Sequence, residues 1–178
     1  RVIRNPDNRG FGVACNQGAA LAQASRLLFI NPDCRLSPNA LAQLIVLLDG
    51  RPSLGLLGAD LRNADGSVQA AARRRTPIPL RAIRQILGRE AKGGAVLSRA
   101  NEHGESLDRV EATSGAFMLM PRAVFESLGG FDPAYVLHCE DLDLCRRVLH
   151  SGHEIAVANE VQVTHVKGTS SRRRPIWV

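Results

Sequence analysis

This 178-residue sequence predicts an α/β fold: a mostly parallel sheet flanked by helices, Rossmann-like in plan. Two short runs, RLLFI at 26–30 and LGLLGA at 54–59, are continuously apolar, as in strands buried on both faces. They alternate with stretches whose apolar residues recur at helical spacing. The first run stops at Asn31-Pro32-Asp33, a polar turn at the carboxyl end of a strand. Open α/β sheets bind their ligands at such ends.

The elements follow in order. Residues 1–4 read as a strand-like start and run into Asn5-Pro6-Asp7-Asn8-Arg9-Gly10, a dense turn signal. A helix of small residues is expected over 11–24, with Val13, Ala20, Leu21 and Ala24 as its apolar positions. After the 26–30 strand, Ser37-Pro38 caps and opens a helix through Leu48, built on Leu41, Leu44, Ile45 and Leu48. The 54–59 strand leads to Asp65-Gly66, a hairpin turn signal. Residues 76–108 carry Pro77, Pro79, Gly88 and Gly93-Gly94 and are expected to form a lid or variable loop. A strand over 110–120 is interrupted by Ser114-Gly115-Ala116, and a short helix over 121–128 is stopped by Gly129-Gly130. Another helix carries Leu142, Leu144, Cys145, Val148 and Leu149. Short strands at 154–158 and 161–165 precede a basic tail at 167–178. No internal repeat is visible, and the length suits one domain, 1–178, with a sizeable core.

Composition narrows the function classes. Hydrophobic content of 44% with 22% charged residues describes a globular chain, not a disordered one. No apolar run approaches the roughly 20 residues needed to span a bilayer. Cys15, Cys34, Cys139 and Cys145 form no CxxC pair and read as reduced thiols, which points to the cytoplasm. The net charge of +6 comes largely from Arg73-Arg74-Arg75 and Arg172-Arg173-Arg174. A basic balance suits nucleic acid, anionic lipid or a phosphorylated substrate. One Trp and one Tyr supply almost no stacking platform, and no base-reading motif is present, so nucleic acid is not an expected partner. The other reading of each arginine cluster is a solvated face. The basic tail would suit peripheral attachment at the inner face of the cell membrane.

The segment LHCEDLDLCRR, 137–147, carries the densest chemistry. Glu140, Asp141 and Asp143 place three carboxylates in four positions at a helix start. Acidic groups there are favoured by the helix dipole and can cap free amides. The alternative is functional: a carboxylate at a strand end (Asp33) and another at a helix start can face one cleft, one holding a metal and the other taking a proton.

Together these motifs resemble family 2 glycosyltransferases, inverting enzymes of the GT-A fold, and most of all their rhamnosyltransferase-type branch. The shared segments run nearly end to end: NPDNRGFGVACNQG (5–18), LLFINPDC (27–34), Asp65-Gly66 with Gln69, Arg73 to Pro77, SGAFMLMPR (114–122), GGFDPAYVLHCEDLDLCRR (129–147), and His165 with Gly168, Thr169, Ser170 and Ser171.

The resemblance implies roles. Asp33 matches a metal-binding carboxylate that would hold Mg²⁺ or Mn²⁺ against a donor diphosphate. Asn31 stands where the family's first acidic residue would be. His165 matches a position that can complete the metal site, against the alternative of a structural histidine. Asp141 matches the catalytic base, and Glu140 would orient it or the acceptor. Asp143 is expected to cap the helix or face solvent. Ser114, Gly115 and Ala116 would floor the donor cleft. Asn8, Gly10, Gly12, Asn16 and Gly18 would line the nucleotide side, although helix-start turns equally favour such glycines. Arg73 and Arg74 would contact phosphate or acceptor.

The implied partners are a nucleotide-sugar donor and a glycan or lipid-linked glycan acceptor. The implied reaction moves a hexose or rhamnose-like deoxyhexose in cell-wall or polysaccharide biosynthesis. The family's domain opens with two strand-helix units before the point matched by Arg1, so roughly 60 residues are expected upstream. An alternative follows from that: a non-catalytic truncated module that binds a glycan or protein partner. Oligomeric state is not legible.

Overall fold

The computed structural model describes residues 2–75, 106–136 and 138–166. Helix α1 spans Phe11–Leu21, α2 Ala40–Asp49, α3 Arg122–Ser127 and α4 Glu140–His150; a 3-10 turn covers Ala70–Ala72. The strands are β1 (Arg26–Ile30), β2 (Cys34–Leu36), β3 (Leu54–Arg62), β4 (Leu107–Arg109), β5 (Phe117–Pro121) and β6 (Glu154–His165). They form one sheet in the order β1-β5-β3-β6-β2, with β4 also on β6.

The α/β architecture is as expected, but the sheet is not mostly parallel. Among the described residues only β3 and β6 pair in parallel; β1/β5, β3/β5, β2/β6 and β4/β6 are antiparallel. Parallel neighbours need a crossover connection of a dozen or more residues. The run from β3 to β6, which contains α3 and α4, is long enough for such a crossover.

The central strands are buried on both faces, which is why their sequences are continuously apolar. Met118 and Met120 of β5 pack with Leu56, Phe29, Phe125 and Phe131 beneath α1, α3 and α4. Phe117 and Leu119 face the other way, onto Leu44 and Leu48 of α2 with Leu57 and Leu61 of β3.

Strand β6 is a single twelve-residue strand where two were expected. The expectation of a break had a cause: the β3/β6 register shifts between Ala59 and Asp60, whose partners are Ala158 and Gln162. Asn159 lies inside that bulge, which changes which residues face which side. Before it β6 pairs with β4, after it with β2.

Other boundaries moved as well. Residues 2–4 are not a strand, and Val110–Ala116 precede β5 instead of belonging to it. Leu107 and Asp108, expected in the lid region, begin β4. Residues 76–105 and the tail 167–178 lie outside the described residues.

Candidate functional site

The site residues gather at one sheet edge. The carboxyl ends of β1, β3 and β6 and the amino end of β5 meet there, since Ile30 pairs with Phe117 and Arg62 with Thr164.

The turn 114–116 is the hinge between two carboxylate centres. Gly115 N donates to Asp141 Oδ2 at 3.0 Å. On its other side Ala116 O accepts from Asn31 N at 3.0 Å and from Cys34 Sγ at 3.3 Å. Ser114 turns inward locally, accepting from Ala116 N at 3.3 Å. A Cβ on Gly115 would stand 3.3 Å from Asp141 Cβ and 3.6 Å from Phe11, so only glycine lets the helix approach without displacement.

Asp141 lies in the first turn of α4, where the dipole favours a negative charge. Arg74 Nη2 pairs with its Oδ2 and also donates to Thr113 O at 2.7 Å. Leu142 N reaches Asp141 Oδ1 at 2.8 Å. A carboxylate offers about four lone-pair sites. Three donors therefore leave one site, on Oδ1.

Two non-glycine residues in left-handed conformation, His138 (φ 67°) and Cys139 (φ 69°), lead into this helix. Such backbone costs on the order of 1–3 kcal/mol per residue and clusters at functional sites. Glu140 lies toward α1: burial, then its charge, pushes the Cys15 thiol up to about 12. Asp143 neither caps the helix nor faces free solvent. It pairs with Arg147 at 2.6 Å, and Arg147 donates to Leu128 O and Gly130 O, fastening α4 to the glycine turn.

At the second centre, Asp33 Oδ1 stands 3.3 Å from His165 Nε2. Cys34 Sγ is also within 4.8 Å of both. In an octahedral shell, neighbouring donors at about 2.1 Å from an ion lie about 3 Å apart, so the Asp33–His165 spacing suits a divalent cation. Burial and then the Asp33 charge push the Cys34 thiol up to about 11; hard divalent cations favour oxygen and imidazole over thiol, so Asp33 and His165 are the natural donor pair. Gln69 contacts both the ring and the carbonyl of His165.

Two expectations are corrected. Arg73 is 2% exposed and cannot meet a phosphate. Its guanidinium pairs with Asp60 at 2.7 Å and Asp108 at 2.9 Å and donates to Asn159 at 2.6 Å, clamping the β6 bulge. Arg74 pairs with Asp141. Gly12 and Asn16 serve packing instead of lining a nucleotide pocket. A Cβ on Gly12 would sit 3.0 Å from Phe131 Cβ, and Asn16 exchanges hydrogen bonds of 2.8 and 2.9 Å with the Phe131 backbone. Gly18 lies on α1 with open space where its Cβ would be. Gly10 has φ 90° and would drive a Cβ to 2.6 Å from Val136 O, so the turn before α1 requires it. Asn8 accepts from Gly10 N in that turn.

Sequence reasoning assigned no role to Gln69 and missed Arg74 as the partner of Asp141. The signal for the first was its place beside Asp65-Gly66 in the shared motif series. No helix among the described residues is long and apolar enough to cross a membrane.

The "N-acetylglucosaminyl-diphospho-decaprenol L-rhamnosyltransferase" of Mycobacterium tuberculosis is 27% identical across 98% of this chain. The "O-antigen chain rhamnosyltransferase WbaN" of Salmonella anatum is 24% identical across 97%. The chain spans 61% and 51% of those two proteins' lengths.

Among solved structures, GalNAc-T7 with UDP, GalNAc and Mn²⁺ superposes with a TM-score of 0.66 at 17% identity, covering 93% of this chain and 32% of that one. The mannosyltransferase PcManGT from Pyrobaculum calidifontis, with GDP-Man and Mn²⁺, gives 0.61 at 16% identity, covering 96% and 40%. These likenesses establish the GT-A fold. The family described as "Glycosyltransferase like family 2" matches residues 1–175, and the chain belongs to that family.

Proposed function

We propose that this chain carries the base and the cation site of an inverting glycosyltransferase, one that moves a rhamnose-like deoxyhexose from a nucleotide-diphosphate sugar to a cell-surface glycan acceptor. One observation carries the reading: the turn 114–116 binds Asp141 through Gly115 N and the Asn31–Cys34 turn through Ala116 O. In this reading the proton acceptor and the cation site share one connection. The names of the relatives support the sugar and acceptor class.

Asp141 would accept the proton of the acceptor hydroxyl at its remaining Oδ1 site. The acceptor oxygen would form its bond to the anomeric carbon as the bond to the diphosphate breaks on the opposite face, leaving inverted configuration. Arg74 and Gly115 N hold the carboxylate in place for that transfer. Ser114 would border the donor sugar. Glu140 would orient the acceptor, and Asn8 and Gly10 would border the donor beside α1. Asp33 and His165 would hold Mg²⁺ or Mn²⁺, which offsets charge on the departing diphosphate.

The test is Asp141→Asn. It is expected to abolish transfer, by 10²-fold or more, while nucleotide-sugar binding measured by calorimetry with Mn²⁺ is retained. Turnover near the wild-type level in this variant sinks the base assignment.

A further inference from the structure

The turn marked by Asp65-Gly66 takes no direct part in either centre, yet it ends a chain of hydrogen bonds that reaches His165. Asp65 Oδ1 accepts from the Ser67 hydroxyl at 2.6 Å, and hydrogen bonds from Ser67 hold the Asp65 carboxyl below its usual range. The carboxylate can only accept, so the single hydroxyl proton of Ser67 is committed to it. The Ser67 oxygen must then accept from Asn63, whose Nδ2 lies 2.8 Å away. That fixes which end of the Asn63 amide is which. Its Oδ1 accepts from Gln69 Nε2 at 2.8 Å.

The same Gln69 nitrogen donates to the His165 carbonyl at 2.7 Å. That oxygen is also an acceptor only, so two independent partners orient the buried Gln69 amide the same way. The remaining atom, Gln69 Oε1, faces His165 Nδ1 at 3.0 Å and has only acceptor capacity. The ring nitrogen must bring the proton.

We infer that Gln69 is a positioning residue that fixes His165 in the Nδ1–H tautomer and so turns the Nε2 lone pair toward Asp33, ready for a divalent cation. The geometry at the other end fits. An Nε2 lone pair 3.3 Å from a carboxylate oxygen is repulsive unless a proton or a cation lies between them. A hydrogen-bonded partner on the distal ring nitrogen is how metal-ligating histidines are generally oriented, and losing it typically costs 10–100-fold in metal affinity. The inference rests on the proposed cation site in its final clause only; the tautomer is a property of the metal-free chain.

Two measurements separate these parts. The first is long-range ¹⁵N–¹H correlation spectroscopy of the histidine rings in the metal-free chain at pH 8, with His165 assigned by its loss in His165→Gln. The expected result is a protonated Nδ1 and an unprotonated Nε2. A protonated Nε2 with a bare Nδ1 overturns the inference. The second is Mn²⁺ titration followed by electron paramagnetic resonance in the wild type, Gln69→Leu and Gln69→Glu. Gln69→Leu is expected to weaken Mn²⁺ about 10-fold or more. Gln69→Glu, which keeps an oxygen for Nδ1–H, is expected to hold affinity closer to the wild type. Equal affinity in the wild type and Gln69→Leu overturns the positioning role. An Nδ1–H signal in a wild-type chain that takes up no Mn²⁺ supports the tautomer assignment and overturns the cation site.

Discussion

Replacing Arg73 by Met separates the two roles an arginine in this motif could play. Arg73 is 2% exposed, and its partners Asp60 and Asp108 are 2% and 4% exposed. In Arg73→Met, Asp60 keeps Arg62 at 2.6 Å, whereas Asp108 loses the one ion pair it makes among the described residues. Removing one partner of a buried pair costs about 3–5 kcal/mol, because the other charge stays buried without compensation. For a domain of this size each kcal/mol moves the melting temperature by about 2–4 °C, so the expected fall is about 6–20 °C.

The assay is thermal unfolding by circular dichroism, with nucleotide-sugar affinity measured well below the transition. A companion, Arg73→Met with Asp108→Asn, removes the stranded charge and is expected to recover part of the loss. A single variant that melts within 2 °C of the wild type and loses donor affinity refutes the reasoning. It would return Arg73 to the phosphate role that its sequence context suggested.

Three further outcomes follow. Gly115→Ala places a methyl 3.3 Å from Asp141 Cβ and is expected to lower transfer activity more than nucleotide-sugar affinity, as comparison of turnover with calorimetry will show. Cys139→Gly relieves a left-handed backbone (φ 69°) and is expected to leave the melting temperature unchanged or raise it by a few degrees, worth up to about 1 kcal/mol. For pH, burial raises the Cys15 and Cys145 thiols from 9.0 to about 12. The folded state therefore holds protons that the unfolded state releases. Stability from these thiols is intact below pH 9 and is lost as pH rises from about 9 toward 12, a decline that urea titrations at pH 8, 9 and 10 will register and that Cys145→Ala will reduce.

Much of the fold was legible because burial leaves a strong mark. The continuous apolar runs of β1 and β3, the helical spacing of α2 and the glycine stop after α3 all read directly from residue type. Strand direction did not. It depends on which strands become neighbours, and helix-strand alternation says nothing about that. The bulge at Asn159 looked like an end of β6 because polar residues interrupt the apolar pattern there.

At the site, the carboxylates and His165 were legible as chemistry. Their partners were not, since a sequence places Arg73 and Arg74 side by side while the fold sends one into a buried clamp and the other to Asp141. Asn16 misled for a similar reason: an amide near a glycine turn suits either a ligand or a neighbouring backbone, and only the approach of the Phe131 segment decides.

The placement of β6 has a consequence for how the chain is made. Among the described residues both short strands, β2 and β4, find their partner in β6 alone, and β3 pairs along it through Arg62 and Thr164. Until ribosomes have produced residue 165, β3 presents a nascent apolar edge and Asp33 has no His165 to meet. Premature termination before Glu154 would thus release a polypeptide with an open sheet edge, a template for intermolecular strand pairing. Chaperone protection of the nascent chain should matter most until β6 has been synthesised.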